Sequence, residues 1–385
     1  MIKILIGGDL YLKDNHEIYD NLNLFKKNFF SILNLEAPII NQKKRNIPHK
    51  KTGPNLFQNS KHLESLVSGL NIKYLVGANN HIFDYGNMGI VATKGYLKNM
   101  NIQHTGFGKD ILEANKPLSL LGTNIAVIST AEEEFGIASV NKSGSASIYN
   151  EEVITIIKRL KRSNKIVIVC PHGGGEEIPL PSKYIYNRYR RIIDAGADIV
   201  IAHHPHVPQG YEKYHGKYIF YSLGNFIHDS YKKSWGLIVS LSINTFNKIS
   251  VKLYSINVLK NKSVIDELSK DQLEYLTTIN SILSNPKEYE IMLQAQSLDM
   301  YESYYKSYME RIILKNQKGW FKTYSEKQAE ENRELLLLNL IRNKSHSEFI
   351  ERALKLKYSE ETDIIGDKNI LKYRTLKKYI EKHFR

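Results

Sequence analysis

Through roughly the first two thirds of the chain, short apolar runs of strand length alternate with segments whose apolar residues recur at helical spacing. Eight runs read as strands: Ile2–Ile6, Phe30–Leu35, Tyr74–Val76, Ile125–Ser129, Ile166–Cys170, Ile199–His203, Tyr218–Ser222 and Leu237–Ile243. The 3.6-residue period predicts helices over Asn59–Gly69, Met88–Met100, Asn150–Lys161 and Ser182–Asp194, the last closing at Gly196. After about residue 262 the strand signal fades, glycine becomes rare, and helical segments follow one another: Val264–Leu283, Pro286–Lys315, Ser325–Arg342, Ser345–Lys357 and Asp367–His383. The pattern predicts an α/β catalytic domain over 1–261 and an α-helical extension over 262–385. Within the extension, the ELLLLNLI run (334–341) predicts a buried helix face. The basic amphipathic end TLKKYIEKHFR (375–385) suits packing on the bundle better than a membrane surface or partner. Tyr301, Tyr304, Tyr305 and Tyr308 suit packing or self-association better than a cofactor site.

Polar clusters close five of the apolar runs: GGD (7–9), NLE (34–36), GANNH (77–81), CPHGGGEE (170–177) and AHHPH (202–206). Ligand sites in α/β sheets gather at the carboxyl ends of strands, so five such clusters predict one shared site. Asp9 is aimed outward after two small residues, and Glu36 offers two oxygens with which to bridge two cations. The Asn80 carbonyl is a ligand for a hard cation. The adjacent His81 can protonate a leaving group, and Asp84, three residues on, can fix its tautomer. His172 opens into Gly173–Gly175, where backbone can approach a ligand closely. His203, His204 and His206, with Pro205 restricting the chain, follow a buried strand at a density that packing does not explain. Imidazole, carboxylate and amide oxygen together suit two divalent ions of Mn, Fe or Zn. Neither GxxxxGK[ST] nor a GxGxxG joining strand to helix is present, which argues against P-loop and Rossmann nucleotide binding.

Length and composition, 385 residues with 42% hydrophobic and 24% charged, allow a sizeable core. The formal net charge is +14, yet residues 261–385 carry 22 Lys and Arg against 20 Asp and Glu. The excess therefore lies with the chemistry, and a basic field favours an anionic substrate, a phosphoester or a polyanionic polymer. Lys50 and Lys51, in the basic loop 42–54, are the candidates to meet it. The basic stretches lack regularly interleaved aromatics, so nucleic acid is not the expected partner. A lone Cys170 excludes an intramolecular disulfide and reads as a buried strand residue. The chain opens directly on a strand-like run, with neither a secretory signal nor a stretch long enough to span a bilayer, and a cytoplasmic location is expected.

The motifs GGD, NLEAPI (34–39), NNHIFDYG (79–86), HGGGEE (172–177), IIDAGADIVIAHHPHVPQGYE (192–212) and YSLGNFIHD (221–229), in this order, resemble the bacterial capsule-synthesis family of the CapA or PgsA type (poly-gamma-glutamate biosynthesis). The resemblance spans about residues 3–245. The family's catalytic domain is similar to calcineurin-like metallophosphoesterases, which implies a four-layer α/β/β/α sandwich with a dinuclear site at one edge. Asp9 would then be a ligand of one metal and Glu36 the bridging carboxylate. Asn80, His172 and His204 would hold the second metal, and His206 would complete the first. His81 would serve the leaving oxygen, while Glu176, His203 and Asn225 in the same motifs would face substrate. Two departures stand out. Tyr11 occupies the place of the usual Asp-x-His imidazole, with a water or His16 expected to substitute. The usual HWG and Glu-Tyr read His172-Gly173-Gly174 and Glu176-Glu177, which removes two aromatic walls.

Three activities follow: phosphoester hydrolysis by water activated between two metals, hydrolysis or transfer at an amide or gamma-glutamyl bond, or a non-enzymatic scaffold of a capsule-synthesis complex. The family's polyglutamate proteins are commonly membrane-anchored. Contact with a membrane surface or capsule complex, and homo-oligomerisation through the extension, are the further partners expected.

Overall fold

The computed structural model describes residues 1–27, 30–40, 47–163, 165–313, 326–358 and 367–384. Its strands are β1 (Ile2–Tyr11), β2 (Glu17–Asp20), β3 (Phe30–Leu35), β4 (Tyr74–Val76), β5 (Gln103–Thr105), β6 (Phe107–Gly108), β7 (Leu118–Ser119), β8 (Ile125–Ala131), β9 (Gly144–Ser145), β10 (Ile166–His172), β11 (Ile199–Ile201), β12 (Tyr211–Tyr214), β13 (Lys217–Phe220), β14 (Asn225–His228), β15 (Lys233–Ile243), β16 (Ile249–Leu259) and β17 (Lys262–Asp266). The helices are α1 (Leu24–Lys27), α2 (Ser60–Gly69), α3 (Gly86–Asn99), α4 (Ile111–Ala114), α5 (Glu152–Arg162), α6 (Lys183–Asp194), α7 (Lys270–Ser284), α8 (Pro286–Met300), α9 (Lys306–Ile313), α10 (Glu326–Arg342), α11 (Lys344–Tyr358) and α12 (Asp367–His383), with a π-helical turn at Tyr301–Tyr305.

Two sheets stack face to face. The larger runs β2-β17-β16-β15-β1-β3-β4-β5, with β14 also paired to β1, and the smaller runs β12-β13-β11-β10-β8-β7. Strand alternation explains the layering. Ile4, Ile6, Ile32, Tyr74 and Val76 share one core cluster with Val127, Val169 and Val200 of the smaller sheet. Their neighbours Leu5, Leu33 and Leu75 point the other way, into a second cluster with Leu63 and Leu66 of α2 and Ile90 and Leu97 of α3. Helices α5 and α6 cross between the parallel strands β8, β10 and β11 and cover the smaller sheet with Ile156, Ile157, Ile185 and Tyr189. The result is the expected α/β/β/α sandwich, followed by a helical region. Local caps set the helix starts: Asn59 accepts from the backbone of Lys61 and His62, and Ser182 from that of Ile185.

The extension differs from its sequence reading at its start. The helix predicted from Val264 begins instead at Lys270, behind a Ser269–Gln272 capping box, because Lys262–Asp266 completes the larger sheet between β16 and β2. The helix predicted over Pro286–Lys315 is interrupted by the π turn, and residues 314–315 and Ser325 lie outside the described residues. Of the ELLLLNLI run, Leu336 and Leu340 are buried while Leu337, Leu338 and Ile341 are exposed. The basic terminal helix buries Tyr373, Leu376 and Ile380, and the Tyr379 ring stacks on Tyr275. Cys170 is buried in β10, where burial pushes its thiol up to about 12. Among the described residues, no helix is long and apolar enough to cross a membrane.

Candidate metal centre

The carboxyl ends of β1, β3, β4, β8, β10, β11 and β14 meet at one edge of the sandwich, and the side chains there form the site. β1 changes partners midway: Ile2–Ile6 pair antiparallel with β15, and Asp9–Tyr11 pair parallel with β14. The handover falls at Gly7-Gly8, where a Cβ on Gly8 would meet the Gly224 carbonyl oxygen at 1.8 Å. The Asp9 amide donates to that same oxygen at 3.0 Å. Asn79 builds the turn after β4: its Oδ1 accepts from the amides of His81 and Ile82 at 3.0 and 2.7 Å, and its Nδ2 donates to the Leu35 carbonyl at 2.7 Å. After β11 the chain takes positive φ at two imidazole-bearing residues, +101° at His204 and +59° at His206. Strain of this kind costs on the order of 1–3 kcal/mol per residue and persists where surrounding structure holds it for a purpose.

Glu36 lies at the centre, fully buried, with neither oxygen hydrogen-bonded. Its Oε1 is 3.9 Å from His172 Nε2 and 3.5 Å from His206 Nε2, and its Oε2 is 3.7 Å from His228 Nε2. Two groups of buried ligand atoms share this carboxylate, one with His172 and His204 and one with His206 and His228. The Asn80 Oδ1 joins the former, 3.1 Å from His172 Nε2, and the His204 Nδ1 is 3.0 Å from the same nitrogen. Separations of 3.5–3.9 Å are too long for hydrogen bonds but suit atoms that each sit about 2.1 Å from one ion. Burial, then the Asp9 carboxylate, push Glu36 well above the usual carboxylate range, as expected of two acids buried side by side. Burial holds His172, His203, His204 and His228 below the ordinary imidazole value, His203 and His204 down to about 3, which keeps them in the neutral form that ligates. The donor set therefore fits divalent cations.

Asp9 lies beside these groups rather than within either. Its Oδ1 accepts from Asn34 Nδ2 at 2.7 Å, and its Oδ2 accepts from the His204 amide at 3.2 Å and faces His206 Nδ1 at 3.5 Å. Asn225, expected to meet substrate, instead fixes His206: its Oδ1 is 2.9 Å from His206 Nδ1, which places the ring proton there and leaves Nε2 bare toward Glu36. His203, also expected at substrate, is buried with both ring nitrogens unpartnered, 3.5 Å from Asp9. His16 does not replace the imidazole missing at Tyr11, since its Nε2 is bonded to Ser263 Oγ at 2.8 Å. The Gly173-Gly174 pair makes room for Glu132 rather than for a ligand: a Cβ on Gly173 would meet Glu132 Cγ at 2.6 Å, and the Gly174 amide donates to that carboxylate.

His81 is buried with its Nδ1 2.7 Å from Asp84 Oδ2 and 2.9 Å from Lys51 Nζ, and Lys51 also pairs with Asp84. Lys51 offers only donors, so a bond from it to Nδ1 puts the ring proton on Nε2, whereas a bond from Nδ1 to Asp84 leaves Nε2 bare. Burial, then Lys51, keep His81 below the ordinary imidazole value against the pull of Asp84. Burial would raise Asp84, but His81 and Lys51 outweigh it and hold its carboxyl low. Lys50, by contrast, is exposed and pairs with Glu331 of α10 at 2.6 Å, away from the cavity lining.

The site opens into a cavity of about 730 Å³. Lys51, Asn80, His81, Glu134 and Glu176 line it from the sandwich, and Tyr304, Tyr305, Tyr308, Arg311, His346 and Lys377 line it from the extension. Of the four tyrosines read as packing residues, Tyr304, Tyr305 and Tyr308 thus form part of its wall. Sequence reasoning missed His228, which ends β14, and the acidic run after β8. There Glu134 Oε1 lies 3.7 Å from His204 Nε2, and Glu132 accepts from Ser345 Oγ of α11 at 2.8 Å. The AEEEF stretch (131–135) closes an apolar run just as the five recognised clusters do, and that signal was available.

The model of the bacterial capsule synthesis protein family PGA_cap matches residues 7–230. The PGA biosynthesis protein CapA of Bacillus subtilis (strain 168) is 31% identical over 274 residues, 64% of this chain and 70% of that protein. The capsule biosynthesis protein CapA of Bacillus anthracis is 30% identical over 205 residues, 51% of this chain and 49% of that protein. A probable polyglutamine synthesis accessory protein of Mycobacterium tuberculosis is 32% identical over 169 residues, 40% of this chain and 44% of that protein. The chain thus spans about half or less of the latter two relatives.

Proposed function

The chain belongs to the bacterial capsule synthesis protein family, and from that premise we propose that it is a metal-dependent hydrolase of phosphoesters in capsule or surface-polymer metabolism. The observation that carries this reading is Glu36, a buried carboxylate with two unbonded oxygens set between two pairs of imidazoles. Two divalent ions of Mn, Fe or Zn held there would supply Lewis acidity, turning water into a nucleophile at neutral pH and offsetting charge on the entering and leaving oxygens. Glu36 would bridge them, Asn80, His172 and His204 would hold one, and His206 would hold the other. His81, at the cavity wall, would give a leaving oxygen its proton from Nε2, in the tautomer that a hydrogen bond from Lys51 to Nδ1 supplies. Glu176 faces the cavity and Lys51 brings it a positive charge.

The Mycobacterium tuberculosis relative is named for polyglutamine synthesis, which favours a second reading, in which the same site acts on an amide or gamma-glutamyl bond. A chelator-controlled assay with bis-p-nitrophenyl phosphate beside a gamma-glutamyl anilide separates the two. Turnover of the phosphodiester alone supports the first, and turnover of the anilide alone replaces it with the second. His81→Ala should lower kcat by about 10²- to 10⁴-fold while metal content stays at the wild-type level. Unchanged turnover in that variant would remove His81 from the mechanism, and turnover of neither substrate by the wild type would leave only the scaffold reading.

A further inference from the structure

We propose that His228 is a metal ligand, taking the place in space that Tyr11 leaves without an imidazole; the inference rests on the two-metal reading and completes its first site. β14 runs parallel to β1, and the register pairs Tyr11 with His228. Side chains paired across adjacent strands lie on the same face, so an imidazole at 228 is one strand-width from an imidazole at 11. Tyr11 and His228 rings are in contact at 5.0 Å, and the His206 ring meets His228 at 4.6 Å.

The nitrogen positions agree with a ligand. His228 Nε2 is 3.7 Å from Glu36 Oε2, and His206 Nε2 is 3.5 Å from Glu36 Oε1, so two imidazole nitrogens and a carboxylate oxygen form one group of close ligand atoms. His228 Nδ1 is buried with no hydrogen-bond partner. A histidine kept only for packing would not turn its Nε2 toward a buried carboxylate oxygen that has no hydrogen bond, since each unmet polar group costs about 1–3 kcal/mol. A cation between Glu36, His206 and His228 offsets that cost at the Glu36 carboxylate, whose oxygens are both unbonded.

The test is the metal content of the full chain after equilibration with Mn²⁺ and dialysis, measured by plasma mass spectrometry. Mn²⁺ electron paramagnetic resonance reports whether the bound ions are spin-coupled. Wild-type protein is expected to hold two coupled ions per chain. His228→Phe should hold one, with an uncoupled six-line spectrum, and the Kd of the weaker ion should rise at least tenfold. Adding Tyr11→His to His228→Phe should restore the second ion. His228→Gln serves as the second variant should the phenylalanine disturb folding, judged by circular dichroism. Two coupled ions in both His228 variants at wild-type affinity overturn the assignment and leave the two-metal reading intact. Fewer than two ions in the wild type overturn the two-metal reading itself, and the assignment with it.

Discussion

Glu36 and His104 show how burial decides the behaviour of single residues here. Glu36 loses water from both oxygens and gains no hydrogen bond, so without cations it destabilises the fold. Glu36→Gln should therefore raise the stability of the metal-free protein by about 1–3 kcal/mol, read as a higher Tm in chelator, while abolishing metal binding. His104 stacks on Phe107, and burial, then Lys94, lower its pKa to about 4 against the opposing effect of Glu113. In the unfolded chain the group titrates near 6.5, so the folded state binds fewer protons between pH 6.5 and about 4. Its stability contribution is intact above pH 6.5 and is lost as pH falls toward 4, by at most about 3 kcal/mol. Urea midpoints at pH 7 and pH 5 should fall less steeply for His104→Gln than for the wild type. At this scale, residues that close a recognisable apolar run, such as Glu36, His81, His172, His204 and His206, were legible in the sequence. His228 was not, because its role depends on pairing with a strand more than two hundred positions away.

Among the elements, β1 has the most exacting task, since it must exchange β15 for β14 within two residues. Gly8→Ala would drive a Cβ into the Gly224 carbonyl, and we expect a loss of about 3 kcal/mol or more with weakened metal retention. A denaturant midpoint within error of the wild type would show that the handover is not as tight as described. The central strands and helices α2, α3, α5 and α6 were legible because their apolar residues recur at the expected spacing, and α2 and α6 also begin at the side-chain caps Asn59 and Ser182. β16 was not, since its pattern mixes exposed and half-buried positions along an outer part of the sheet. β17 was read as helix because Val264 and Ile265 sit close to the true helix start, and only pairing with β16 and β2 makes them a strand.

Across the whole molecule the helical region is continuous with the sandwich core. Tyr289 stacks on Tyr186, Tyr275 OH donates to the Pro208 carbonyl, and the Glu348 carboxylate caps the start of α6 through the amides of Lys183 and Tyr184. Sandwich and extension should accordingly unfold in one calorimetric transition with equal van't Hoff and calorimetric enthalpies, whereas two resolved transitions would mean separate folding units. A change of pattern near residue 262 was visible in the sequence, but the return of the extension to line the cavity was not, because it depends on contacts such as Ser345 with Glu132. The account depends most on a pair of cations flanking Glu36. Anomalous diffraction from crystals of the Mn²⁺-loaded protein should show two peaks about 3.5–4 Å apart, one beside His172, His204 and Asn80 and the other beside His206. A single peak, or peaks remote from Glu36, would contradict it.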